Sequence, residues 1–330
     1  MTASTDALPA ASGQRQRVPE FFVVGHQKCG TSALYEMLRS HPQIYMPDVK
    51  ETWYFSSELR SAGKRRRLAE RPESFDEYLS LFDDAKPGQR VGENSPAYLM
   101  SSEAAKRIAD ARPDARIIAI LREPASFLHS FHLQCLRNHV ETEKSFAKAI
   151  ALEADRREGR KIPPHSQRPH ELLYSEHVRY VAQLQRYHAV FAREQVLVLI
   201  YEDFRRDNEA TMRKVLSFLD VDETVALHAV EANPSYRVRS PQLHELLRSV
   251  YLGRGSAARK VKTAMTSVTS RRMRRSLLRL TLHGVVYGEP QREDERVMNE
   301  LRSRCKAEVL ALSQYLDRDL VSLWGYDRVE

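Results

Sequence analysis

Eight residues, Gly-His-Gln-Lys-Cys-Gly-Thr-Ser from Gly25 to Ser32, carry the groups that an anion needs. They follow the apolar run Phe21–Val24 and precede Leu34, Met37 and Leu38 at helical spacing. That pattern predicts a strand, a tight loop and the start of a helix. A helix N-terminus gathers unpaired N–H groups and the positive end of the peptide dipoles, so it suits a phosphate or a sulfate. Gly30 lets the backbone come close and Lys28 supplies charge. Thr31 and Ser32 add hydroxyls, and Cys29 is read for its amide rather than its thiol.

The loop comes near to the nucleoside-triphosphate motif, which puts lysine directly after the second glycine. Here Thr31 holds that place, and Lys28 lies two residues before Gly30. The displaced lysine predicts an anion of another shape. A second anion contact is expected at Arg122, which directly follows the apolar run Arg116–Leu121. Ser130, eight residues further on, returns to the same side after a turn and a helix, so a guanidinium fork and a hydroxyl converge on one phosphate. Lys50 and Glu51 follow the short apolar run Gln43–Met46, with Trp53, Tyr54 and Phe55 as an aromatic wall behind them. Ligands of open parallel sheets lie beyond the carboxyl ends of strands, which places this pair at the site.

These segments resemble the sulfotransferases. Lys28–Ser32 followed by Ala33–Leu38 is similar to that family's 5′-phosphosulfate loop, and the Ser40–Ile44 segment is similar to its glycan branch. The resemblance implies 3′-phosphoadenosine 5′-phosphosulfate (PAPS) as sulfuryl donor, adenosine 3′,5′-bisphosphate as product, and no metal. Leu-Arg-Glu-Pro with Ser130 matches the segment that holds the 3′-phosphate, so Arg122 and Ser130 take that role. Lys50–Phe55 matches the heparan-type segment whose glutamate is the catalytic base, which is Glu51 here. His26 is the competing base, since small-molecule members use a histidine. Arg237 and Arg239 fall in a late loop that covers the 3′-phosphate and adenosine in the family. Where the family often has lysine or threonine, this chain has Asn94 and Ser95, which speaks against a strongly acidic acceptor.

Positioning these residues takes five strand runs, the others being Arg90–Asn94 and Gln195–Tyr201, alternating with helices. Helices are expected over Ser145–Glu158, Leu172–Phe191 and Gln291–Leu323. The class is α/β, with a P-loop-like core and a five-stranded parallel sheet flanked by helices. Residues 1–18 read as a disordered tail and 19–330 as one domain. No apolar run is long enough for a bilayer, and the start of the chain lacks the apolar core of a signal peptide, so the expected location is cytoplasmic. Three cysteines without metal-like spacing fit reduced thiols. A net charge of +8 suits an anionic ligand. No helix-turn-helix, zinc finger or RNP motif points to nucleic acid.

The acceptor is expected to be a glycan, a glycolipid or a glycosylated natural product. The basic segment 254–279 is either a solvated helix face or a peripheral membrane contact. His165 and His170 read as surface residues. Two other readings stand beside the sulfotransferase: a phosphotransferase using ATP and magnesium with Asp203 on the metal, and a basic lipid- or polyanion-binding protein.

Overall fold

Four successive apolar side chains, Phe21 to Val24, leave no face for water, so their strand has to lie inside a sheet covered on both sides. In the computed structural model all four are fully buried. The structure describes residues 18–60, 71–164, 166, 168–226, 237–238, 287–288 and 294–329. Their strand, β1 (Phe21–Gly25), is the centre of a five-stranded sheet of order β2–β3–β1–β4–β5. The others are β2 (Ile44–Tyr45), β3 (Arg90–Asn94), β4 (Arg116–Leu121) and β5 (Val196–Ile200). Every pairing is parallel. All five carboxyl ends therefore face one edge, where the anion loop after β1 and Arg122 after β4 lie.

Helices α1 (Thr31–Arg39), α2 (Phe75–Ser80), α3 (Ala104–Ala111), α4 (Pro124–Arg137), α5 (Tyr180–His188), α6 (Asn208–Phe218) and α7 (Glu295–Tyr315) supply the layers around the sheet. The start of α4 is fixed by Pro124 and by the Glu123 carboxylate, which accepts from the amides of Ala125 (3.0 Å) and Ser126 (2.6 Å).

Three expected helices are interrupted. Residues 172–191 form a short turn, the helix Tyr174–His177, and α5. The amide of Gln183 donates to the carbonyls of Glu176 (2.9 Å) and His177 (3.3 Å), so a side chain replaces helical bonds at the break. Residues 145–158 divide at Leu152 into Phe146–Ala151 and Glu153–Arg157. The last helix stops at Tyr315, beyond which Asp317 is left-handed and Asp319 caps Leu320–Leu323.

Two buried carboxylate networks tie this framework to the site edge. Glu93 at the end of β3 has no exposed surface, and it accepts hydrogen bonds from Thr52 (2.6 Å), Tyr78 (2.5 Å), Ser95 (2.5 Å) and Tyr98 (2.9 Å). Burial raises its pKa, and the four hydroxyls oppose that shift. The second network anchors the far end of the chain. Trp324 Nε1 donates to Glu202 (2.9 Å) and the Tyr326 hydroxyl to Glu123 (2.7 Å), while the other oxygen of Glu202 accepts from the Glu123 amide (3.2 Å).

Glu93→Ala strands four buried hydroxyls and is expected to cost on the order of 3 kcal/mol. Tyr78→Phe removes one partner and is expected to cost about 1 kcal/mol. Urea unfolding of both variants checks the order, and equal losses would show that the hydroxyls, not the carboxylate, organise the network.

Candidate active site

The loop between β1 and α1 has a backbone that the sequence could only hint at. Lys28 is left-handed (φ 72°), and so is Gly30 (φ 90°), where a Cβ would meet the Tyr201 ring at 3.0 Å. Non-glycine residues in this region cost about 1–2 kcal/mol, so tertiary contacts have to hold Lys28 there. Gly30 is the cap of α1 and makes no side-chain cap bond, while its carbonyl already accepts from Ala33 (3.0 Å) and Leu34 (3.1 Å). The first-turn amides are thus presented as an anion site requires. Thr31 is buried beside them. The Cys29 amide is used differently from expectation, since it closes the turn on the His26 carbonyl (3.3 Å). Its thiol is fully buried, and burial pushes it up to about 12, so it is not a reactive group.

Arg122, at the carboxyl end of β4 beside β1, holds the loop. Its Nη1 donates to the Lys28 carbonyl (2.8 Å), its Nε donates to Ser126 Oγ (3.1 Å), and its guanidinium lies 4.8 Å from the Tyr201 ring centre. Ser126 is the hydroxyl that bonds to Arg122 directly. Ser126 lies in the first turn of α4, which begins two residues after Arg122. Ser130 is buried one turn further along the same helix. The lysine at the centre of this arrangement is weakened as a base-holder of its proton: burial, then Arg137 and Arg122, lower Lys28 to about 8.

After β2 the chain runs back across β3 to reach the loop. Lys50 Nζ donates to Ser32 Oγ (3.4 Å) and lies 4.8 Å from the Tyr35 ring centre. The Glu51 amide donates to the Asn94 carbonyl (2.9 Å), and Thr52 enters the Glu93 network. Glu51 (φ 57°) and Trp53 (φ 59°) are both left-handed. With Lys28, this corner collects three strained non-glycine residues, and such strain is retained where a site requires it. Asn94 is buried, and its side-chain amide faces the Thr31 carbonyl (3.5 Å). Position 94 therefore lies against the anion loop.

His26 is buried among Phe127, His177 and Tyr180. Its Nε2 meets Gln183 Oε1 at 3.0 Å. Because the Gln183 amide nitrogen donates to two carbonyls, its oxygen accepts, and His26 Nε2 carries the proton. Burial lowers this imidazole to about 4.

Beside His26 and Gln27 lies a cavity of about 30 Å³ whose wall also contains Trp53, His170, Glu171 and His177. His170, expected at the surface, is partly exposed and also borders this cavity, and its partial burial lowers it to about 4. Glu171 was not anticipated at all, being one acid in a charged stretch. It is buried, pairs with Arg168 at 2.8 Å, and is pushed up to about 7 by burial, Arg168 opposing and Glu51 reinforcing. Arg71 and Arg168 lie 5.2 and 5.6 Å from the Trp53 ring centre. The backbone of Arg237 pairs with Gly288 in a two-stranded ladder. Arg239, His165 and the basic segment 254–279 lie outside the described residues. Among the described residues no cluster is suited to a metal ion, and no helix is long and apolar enough to cross a membrane.

Residues 19–224 match the family model described as Sulfotransferase family, which spans the sheet, the anion loop and Arg122. The chain belongs to the sulfotransferase family. It is 33% identical over 138 residues to human heparan sulfate glucosamine 3-O-sulfotransferase 6, covering 39% of this chain and 34% of that protein. It is 26% identical over 249 residues to mouse carbohydrate sulfotransferase 15, covering 62% of this chain and 44% of that protein. The chain thus spans less than half the length of these relatives. A crystal structure of a sulfotransferase from Alicyclobacillus acidocaldarius superposes with a TM-score of 0.63 at 28% identity, covering 93% of this chain and 98% of that one. The five-stranded parallel α/β architecture expected from sequence is therefore the architecture of the family.

Lys28 is expected to titrate near pH 8, roughly two units below an ordinary lysine. The ¹³Cε shift of Lys28, assigned through Lys28→Arg, reads this directly. A midpoint above pH 10 would mean that the loop leaves the ammonium in water.

Proposed function

We propose that this protein transfers a sulfuryl group from PAPS to a hydroxyl or amine of an acceptor of the glycan, glycolipid or glycosylated natural product class. The observation that carries the reading is the pairing of an uncapped helix start, next to Lys28, with an arginine from the adjacent strand end that is bonded to the same loop. Two anion-binding groups on neighbouring strand ends suit a nucleotide with phosphates at both ends. The amides of Gly30 to Ser32 and Lys28 would hold the 5′-phosphosulfate. Arg122 and Ser130 would hold the 3′-phosphate, with Ser126 orienting the guanidinium. Arg237 and Arg239 are carried along as further contacts to the 3′-phosphate and adenosine.

In the transfer, the bond from sulfur to the 5′-phosphate oxygen breaks and its electron pair stays on the phosphate. A bond from sulfur to the acceptor oxygen forms, and the acceptor proton passes to a base. Charge stabilisation and positioning carry most of such a reaction. Glu51 is the better base. It is partly exposed at the strained corner and is fixed through its own amide and through Thr52. His26 is the weaker choice, since its Nε2–H is committed to Gln183 and its affinity for a proton is low. Against the magnesium phosphotransferase reading, the aspartate it would use, Asp203, already pairs with Arg206 (2.9 Å) and Arg318. A cytoplasmic location remains part of the proposal.

Glu51→Gln is expected to lower turnover by at least about 100-fold while adenosine 3′,5′-bisphosphate binds nearly as before. Labelled PAPS with a panel of glycoside acceptors reads the first and calorimetry the second; near-normal turnover would shift the role to His26. Arg122→Ala is expected to weaken the bisphosphate by about 1.5–3 kcal/mol, or roughly 10- to 150-fold. Calorimetry of the unmodified protein with ATP-Mg in place of the bisphosphate decides between sulfuryl and phosphoryl donors, the tighter ligand naming the donor.

A further inference from the structure

The Glu51 carboxylate forms no ion pair and no hydrogen bond among the described residues. A base left free for an acceptor has to be aimed by its backbone. Here that backbone is unfavourable, because Glu51 (φ 57°) and Trp53 (φ 59°) are left-handed on either side of Thr52. The Glu51 amide is fixed on the Asn94 carbonyl (2.9 Å), and the Thr52 hydroxyl on Glu93 (2.6 Å). Those two bonds leave the peptide planes before and after Trp53 to be held by something else.

One side chain returns to hold them. After Trp53 the chain turns, with the Ser56 amide donating to the Trp53 carbonyl (3.3 Å), and the 3₁₀ turn Ser57–Leu59 delivers Arg60 back to the corner. Arg60 Nε donates to the Trp53 carbonyl (3.0 Å) and Nη2 to the Thr52 carbonyl (3.3 Å). Nη1 donates to the Pro72 carbonyl (3.2 Å), and the preceding residue, Arg71, lies 5.2 Å from the Trp53 ring centre. All three nitrogens thus go to backbone, and Arg60 forms no ion pair among the described residues. A charged donor makes a stronger bond than a neutral one, and only a planar fork can take two successive carbonyls at once. None of these bonds reaches the anion loop.

We propose that Arg60 is a positioning residue for the transfer: by holding the carbonyls of Thr52 and Trp53 it keeps the left-handed corner that aims the Glu51 carboxylate at the acceptor. The inference rests on the reading of Glu51 as the base. It gives a role in the reaction to a residue that touches neither donor nor acceptor.

Two measurements separate this role from a stitch that only stabilises the fold. Arg60→Gln removes both charge and fork; Arg60→Lys keeps the charge, loses the fork, and takes its place if Arg60→Gln does not fold. The first measurement is native-state hydrogen exchange, which needs no substrate. The Glu51 amide is expected to exchange at least about tenfold faster in the variant, while the Ser95 amide, bonded to the Val23 carbonyl (3.1 Å), stays within about twofold. An unchanged Glu51 amide, or equal acceleration of both, overturns the proposal. The second is a double-mutant cycle on turnover with labelled PAPS and the glycoside panel. The variant is expected to lower kcat about tenfold or more, with the calorimetric affinity for adenosine 3′,5′-bisphosphate within about twofold. In the Glu51→Gln background the same substitution should cost less than about twofold. An undiminished cost in that background, or an equal loss of bisphosphate affinity, shows that Arg60 acts apart from Glu51 and overturns the proposal. Near-normal turnover of Glu51→Gln alone is a different result: it removes Glu51 as the base, and the proposal falls with it.

Discussion

The hydrogen bond from Arg122 to the Lys28 carbonyl is the contact on which the site depends. It joins the ends of two adjacent parallel strands. A carbonyl held by a guanidinium fixes the peptide plane after Lys28, and that plane decides where the next amides point. The left-handed backbone of Lys28 is intrinsically unfavourable, and this contact is one of the forces that keep it. The charge on Arg122 also helps to depress the Lys28 ammonium. A single side chain thus shapes the loop and adds, after burial and Arg137, to the lowering of the Lys28 ammonium.

Strand register makes that contact available. Gly25 stands opposite Ile120, one residue before the end of β4, so Lys28 and Arg122 emerge at the same height. Gly25 has no room for a Cβ, which would lie 2.6 Å from the Ile120 carbonyl. The close approach of β1 to β4 therefore requires glycine where the loop begins. Glu93 does the corresponding work on the other flank of β1, locking the aromatic residues after Glu51 through hydroxyls of three different segments.

Much of this was legible in the chain. Runs such as Phe21–Val24 and Arg116–Leu121 declare buried strands because two-sided burial tolerates few polar residues. Strand ends in a parallel sheet share an edge, so Lys28, Glu51 and Arg122 could be placed together without knowing the strand order. What stayed hidden depends on side chains acting across long separations. Nothing local marks Gln183 as a substitute for helical hydrogen bonds, so the Leu172–Phe191 pattern read as one helix. Glu171 looked like any solvated acid until the fold buried it beside Trp53. The Cys29 amide was assigned to an anion, but the turn geometry spends it on the His26 carbonyl.

The ties made by Trp324 and Tyr326 carry a consequence for biosynthesis. Glu123 and Glu202, which they engage, stand at the ends of β4 and β5, next to Arg122. While the chain is emerging from the ribosome, the sheet can assemble well before those two aromatic residues leave the exit tunnel. During that interval Glu123 and Glu202 each lack one hydrogen-bond donor and keep only the backbone amides that already bond to them. The edge of the crevice is therefore complete only once residues 324 and 326 have docked on strand ends made more than a hundred residues earlier.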